Sequence, residues 1–201
     1  MVRRFIAIFA AAVSFAAIAQ APVDNTVRIR GTVEKLDGQM LAVKARDGSS
    51  MHVKLADNYA VMGIAKAGVA DIDSGKFIGT TTVGERDGAL IALEVHIFPE
   101  SMRGTGEGHR DWDLRPNSKM TNASVANMVA MGKDKVMTVQ YKGGEKKILV
   151  NDSTVVVTYQ PVERSELKPG AAVFLVSARQ PDGSLTAARV NVGLKGQVPP
   201  M

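Results

Sequence analysis

Three side chains near the middle of the chain bring together groups that could do chemistry. His109, Asp111 and Asp113 alternate within GTGEGHRDWDLRPNS, residues 104–118. A neutral imidazole and two carboxylates are suitable ligands for a divalent cation. His96, two positions after Glu94 on the outward face of a strand, adds a second imidazole if the segment folds back. Glu107, His109 and Asp111 also have the groups that general acid–base catalysis uses. No nucleophile in a recognisable setting accompanies them, since Ser118 and Ser124 lie in polar runs without an elbow motif. The segment therefore does not read as an active site, and the chain does not read as an enzyme. Its glycines do not make a nucleotide loop either. Lys-Ser/Thr is missing after the last glycine, His109 stands at the sixth position of the dinucleotide pattern, and Pro116 with Asn117 opposes a following helix.

The same residues have a mechanical reading. Trp112, the single tryptophan, would bury its ring in a groove between two folded units, helped by Leu114. Arg103, Arg110 and Arg115 would pair with Asp111, Asp113 and Glu107, and the glycines would let backbone approach closely. Residues 100–121 are thus a docking connector first and a binding loop second. The alternative is a metal site on His109, Asp111, Asp113 and His96, with a divalent ion as the one cofactor the sequence suggests.

The units on either side are written twice. RDGALIALEVHI (86–97) and PDGSLTAARVNV (181–192) share Asp-Gly, Leu, Ala and Val in step, about 95 residues apart. The offset carries upstream: Gly75 meets Gly170, Ile72 meets Leu167, and Val61 meets Val156. Two modules follow, 27–99 and 122–194. Each reads as five short strands. Val27, Ile29 and Val33 alternate with polar residues, Leu41, Val43 and Ala45 line a second strand, and Met51, Val53 and Leu55 begin a third. Asp37-Gly38, Asp47-Gly48 and Asp87-Gly88 are hairpin signals. An irregular stretch is expected from Asn58 to Ser74. Ile91, Leu93, Val95 and Ile97 are expected to point inward on the fifth strand. The fold expected is all-β: two tandem five-stranded OB-like barrels joined by a Gly-rich connector, an open β-meander or a small β-sandwich giving the same alternation, with 195–201 as a flexible tail.

Composition narrows the function further. There is no cysteine, which removes disulfides, thiolate metal sites and thiol catalysis. The ten methionines fall mainly among apolar strand positions and fill core rather than bind copper. Residues 1–19 carry Arg3 and Arg4, an apolar run, and Ala17-Ile18-Ala19, the pattern of a cleaved signal peptide. Its removal takes two charges from the formal +5, and the remaining Lys and Arg are interleaved with acids. That is a solvated mixed surface rather than a nucleic-acid footprint.

The residues Leu167-Lys168-Pro169-Gly170, followed by Asp182, Gly183, Leu185, Ala187 and Val190, resemble exported bacterial OB-like domains of unknown function. The connector RGTGEGHRDWDL (103–114) is similar to that of a proteobacterial group with two such modules. Some members of that group are labelled metal ABC transporter permeases, a role that a chain without spans after its leader cannot fill. The resemblance implies the fold and export, and brings no active site with it. The function expected is a periplasmic or secreted, non-enzymatic binding protein, its partner a small anionic ligand or an envelope protein.

Overall fold

The computed structural model describes residues 25–201. The expected leader, 1–19, lies outside the described residues. Twelve strands follow in order: β1 (Thr26–Asp37), β2 (Met40–Ala45), β3 (Ser50–Lys66), β4 (Phe77–Arg86), β5 (Ala89–Ile97), β6 (Gly108–Asp111), β7 (Lys119–Met131), β8 (Asp134–Tyr141), β9 (Gly144–Val150), β10 (Val155–Pro161), β11 (Ala172–Arg179) and β12 (Leu185–Gly193). Three single 3-10 turns complete the described structure, which contains no α-helix. Among these residues no helix is long and apolar enough to cross a membrane.

Alternation produces the strands, and Asp-Gly sequences produce several of the hairpins. Gly38 turns β1 into β2 and Asp87-Gly88 turns β4 into β5, all three with positive φ. Ile29, Val33, Leu41, Val43, Val53 and Leu55 point into one core, as their spacing predicts. Gly31 has no room for a side chain, because a β-carbon there would lie 2.1 Å from the carbonyl oxygen of Lys44.

The tandem arrangement is where expectation and structure part. β1, β2 and β3 do not close with β4 and β5. They close with β11 and β12: β1 pairs β11, β11 pairs β12, and β12 pairs β3. The result is a closed five-stranded barrel drawn from both halves of the chain. A second ring runs β4–β5–β9–β8–β7 and back to β4, closed by a short parallel pairing of β5 with β9. The strand pairing thus crosses the division between 27–99 and 122–194.

The physical cause lies in β3. The stretch expected to be irregular from Asn58 continues as strand to Lys66, so β3 has 17 residues. It leaves the first barrel without turning, and β4 lands on the other ring. The equivalent strand β10 crosses back. These two strands pair antiparallel, Met62 with Pro161 and Lys66 with Val157, about Ile64 opposite Tyr159. The pattern has two-fold pseudosymmetry: Val190 pairs Val61 in the first half as Val95 pairs Val156 in the second.

Two further expectations change. A register shift between Ala92 and Glu94 switches the faces of β5, so Ala92, Val95 and Ile97 are buried while Ile91 and Leu93 are only half-buried. The tail does not fray, for Met201 is 1% exposed and its carbonyl oxygen accepts the Arg30 Nε–H at 2.8 Å. Met201 belongs to a third apolar cluster, with Ile64, Phe77, Phe98, Met120, Val157, Tyr159 and Phe174. That cluster lies outside both rings, in the seam between them.

Candidate functional site in the seam

A cavity of about 220 Å³ opens in this seam. Its apolar wall includes Phe98, Met102, Met120, Phe174 and Met201, and polar groups reach it from β5, β6, β7, β10 and β12 and from the connector around Thr105 and Trp112. Ladder register explains the placement. Residues directly opposite one another share a face of the sheet. His96 on β5 stands opposite Gly79 on β4, Gly79 opposite Asn122 on β7, and Asn122 opposite Gly108 on β6. This row faces the seam. On the pseudosymmetric side, Asn191 stands opposite Phe174 and Phe174 opposite Arg30. His96 and Asn191 occupy the same place in the sequence repeat.

Gly79 makes the first row possible. A β-carbon at this position would lie 1.9 Å from His96 Nε2 and 2.6 Å from Asn122 Oδ1. The imidazole and the amide therefore both occupy the space that a side chain would fill.

Behind His96 lies Glu94, 1% exposed. Its Oε1 accepts the Thr81 backbone N–H at 2.9 Å and the Thr81 hydroxyl at 2.6 Å. Its Oε2 is 2.9 Å from His96 Nδ1. A carboxylate only accepts, so Nδ1 carries the proton and Nε2 is left for the seam. Three donors offset the desolvation of the buried carboxylate. Ring edges fix the imidazole, which meets Phe98 and Tyr159 nearly at right angles at 4.9 and 5.7 Å. Burial pushes the Tyr159 phenol well above its ordinary range; the charge of Glu94 pushes the same way and Arg189 pulls back.

Polar atoms at this cavity are left without partners. Asn122 and Asn191 are 5% and 7% exposed, and each has an Oδ1 that accepts nothing. The indole N–H of Trp112 also donates to nothing. An unpaired buried polar atom costs roughly 1–3 kcal/mol, so three around one cavity mark a place built to receive hydrogen bonds. The other amide atom of Asn122 is engaged, with Nδ2 donating to the Thr105 carbonyl at 2.9 Å. Arg110 and Arg189 bring positive charge to the lining.

The connector meets only part of its sequence reading. It forms β6 on the edge of β7, and Trp112 then reaches toward β1. Arg28 lies 4.3 Å over its ring, with Arg110 and Arg30 at 5.6 and 5.9 Å. Asp113 pairs with Arg30 at 2.7 Å, bridging the connector to the first barrel. The cation is not one of those anticipated, and among the described residues Arg103, Arg110 and Arg115 make no ion pair with Asp111, Asp113 or Glu107. Arg103 binds Glu100 and donates to the Gly75 carbonyl at 2.8 Å. Arg110 donates to the Gly106 carbonyl at 2.6 Å, Glu107 accepts the Lys142 backbone N–H at 2.8 Å, and Arg115 is exposed.

The four proposed metal ligands do not converge. His109 stands opposite Thr121, one position from Asn122, so it faces the other side of the sheet from His96. Its Nδ1 is 2.8 Å from the Thr121 hydroxyl, and burial followed by Lys146 and Lys119 lowers its basicity. Asp111 is held by Lys119 and Asp113 by Arg30. Among the described residues no three His, Asp or Glu side chains are grouped to hold a metal.

The sequence reading missed Gly79, Asn122, Asn191 and Arg189. One signal was present: the repeat places His96 and Asn191 at one register position, each a polar residue between β-branched neighbours. No protein-family model matches the chain, and no curated protein or solved structure matches it.

Proposed function

We propose that the protein is an exported, non-enzymatic binding protein whose seam cavity takes a small anionic ligand with an apolar body. The observation that carries this reading is the pair of nine-tenths-buried asparagines, Asn122 and Asn191, with unpartnered oxygens at one cavity. Arg110 and Arg189 favour an anion, and the phenylalanine and methionine wall favours an apolar body. The volume of about 220 Å³ lies below the roughly 300–1,000 Å³ of drug-sized sites, which suits an occupant of a few heavy atoms. The leader pattern supports export. The resemblance to exported tandem OB-like proteins supports both export and small barrels, here with their strands exchanged.

The test follows Trp112 emission and thermal unfolding while a panel of small organic and amino acids is titrated into the mature protein. Saturable binding by at least one of them, lost in Asn191→Leu, is the expected result. A panel without a single saturating member, or binding that survives in that variant, overturns the reading.

A further inference from the structure

One row of polar groups in the seam is ordered by charge. Arg110 and Asn122 meet at Gly106, where a β-carbon would lie 3.2 Å from Arg110 Nη2 and 3.2 Å from Asn122 Nδ2. The other end of the Asn122 amide, Oδ1, shares the space above Gly79 with His96 Nε2. Glu94 holds the far nitrogen of that imidazole. One row across β6, β7, β4 and β5 therefore runs from a guanidinium, through an amide and an imidazole, to a carboxylate. At the cationic end a ligand meets charge that favours an anion. Toward the other end it meets acceptors: Asn122 Oδ1 without a partner, and Nε2, which carries a lone pair when Glu94 holds the proton on Nδ1.

We propose that the ligand is a zwitterion, an α-amino acid with an apolar side chain. Its carboxylate lies toward Arg110 and its ammonium toward Asn122 Oδ1 and His96 Nε2, while its side chain lies against Phe98, Met120 and Phe174. This inference rests on the seam cavity being a ligand site and replaces a simple anion by an occupant whose carboxylate is balanced by an ammonium. A simple carboxylate would leave the acceptors unpaired, at a cost of roughly 1–3 kcal/mol for each buried group. A simple amine would leave the guanidinium end unmatched.

The experiment is calorimetric titration of the mature protein with L-leucine, 4-methylpentanoate and 3-methylbutylamine, which share one branched body and differ in charged groups. L-leucine is expected to bind on the order of tenfold or more tighter than either, the equivalent of about 1.4 kcal/mol. In Arg110→Gln the advantage of L-leucine over the amine should shrink, while its advantage over the acid persists. Equal binding of L-leucine and 4-methylpentanoate overturns the zwitterion and leaves the anion site standing. If the amine alone binds, the polarity assigned to the row is wrong. If none of the three binds and the wider organic-acid panel also fails, the seam is not a ligand site and both readings fall.

Discussion

His96 and Asn122 meet over the bare α-carbon of Gly79, on three adjacent strands whose register places them in one row. Two of these strands, β4 and β5, are consecutive in the chain, and the third begins the second sequence module. The row therefore exists only because β4 pairs with β7 rather than returning to β1.

Gly79→Ala tests that relation. The added methyl would overlap the imidazole and the amide together, and overpacking of this kind costs about 1–3 kcal/mol. Urea denaturation should show the loss, and ligand-induced changes in Trp112 emission should vanish. A variant as stable as the parent would mean that the two side chains do not occupy this space.

Trp112→Ala should loosen the connector from β1. The half-buried ring packs against the seam cluster and lies beneath Arg28, so a loss of about 2 kcal/mol is expected, less than for a fully buried aromatic. For a protein of this size that lowers Tm by roughly 4–8 °C. An unchanged melting curve and an unchanged solution-scattering profile would remove Trp112 from the docking role.

Stability should fall on the acid side because of His109. Burial lowers its basicity below the unfolded value of 6.5. A group whose folded pKa is depressed binds fewer protons folded than unfolded, so its contribution is complete above pH 6.5 and is lost as pH falls toward the folded value. His109→Gln should flatten the Tm profile on the acid side of that unfolded value. Profiles of parent and variant that stay parallel there would contradict the assignment.

The strand exchange predicts how fragments behave. A polypeptide of residues 25–102 carries β1–β5 but lacks β11 and β12, which close the first barrel. It should be unfolded alone, or form a dimer in which each copy supplies the other's missing strands. Size-exclusion chromatography with light scattering separates these outcomes. A folded monomer would show that β4 and β5 can close on β1–β3 and that the exchange is not obligatory.

Much of the local architecture was legible in the residues. Val27, Ile29, Val33, Leu41, Val43, Val53 and Leu55 alternate, and alternation directly records which face of a strand is buried. Asp37-Gly38 and Asp87-Gly88 fixed their hairpins because their backbone requirements are local. Ile91 and Leu93 were misplaced because a bulge shifts the phase of alternation without a distinctive residue to announce it. His109, Asp111 and Asp113 looked like a ligand set because they are close in the chain. His109 and Asp111 do share a face of β6, but Asp113 lies beyond that strand, His96 faces the other side of the sheet, and cations from other elements, Lys119 and Arg30, claim the two carboxylates.

By itself the sequence determined an all-β chain, the inner face of most strands, and a repeat whose equivalent positions include His96 and Asn191. Tertiary structure decided which strands close which barrel. That choice depends on β3 running unbroken through 17 residues, and on pairings between segments far apart in the chain, which local preference does not encode. It also decided that His96, Asn122, Asn191 and Trp112 share one cavity. Each faces away from the barrel interiors, a position that reads as solvent until two rings are packed against one another.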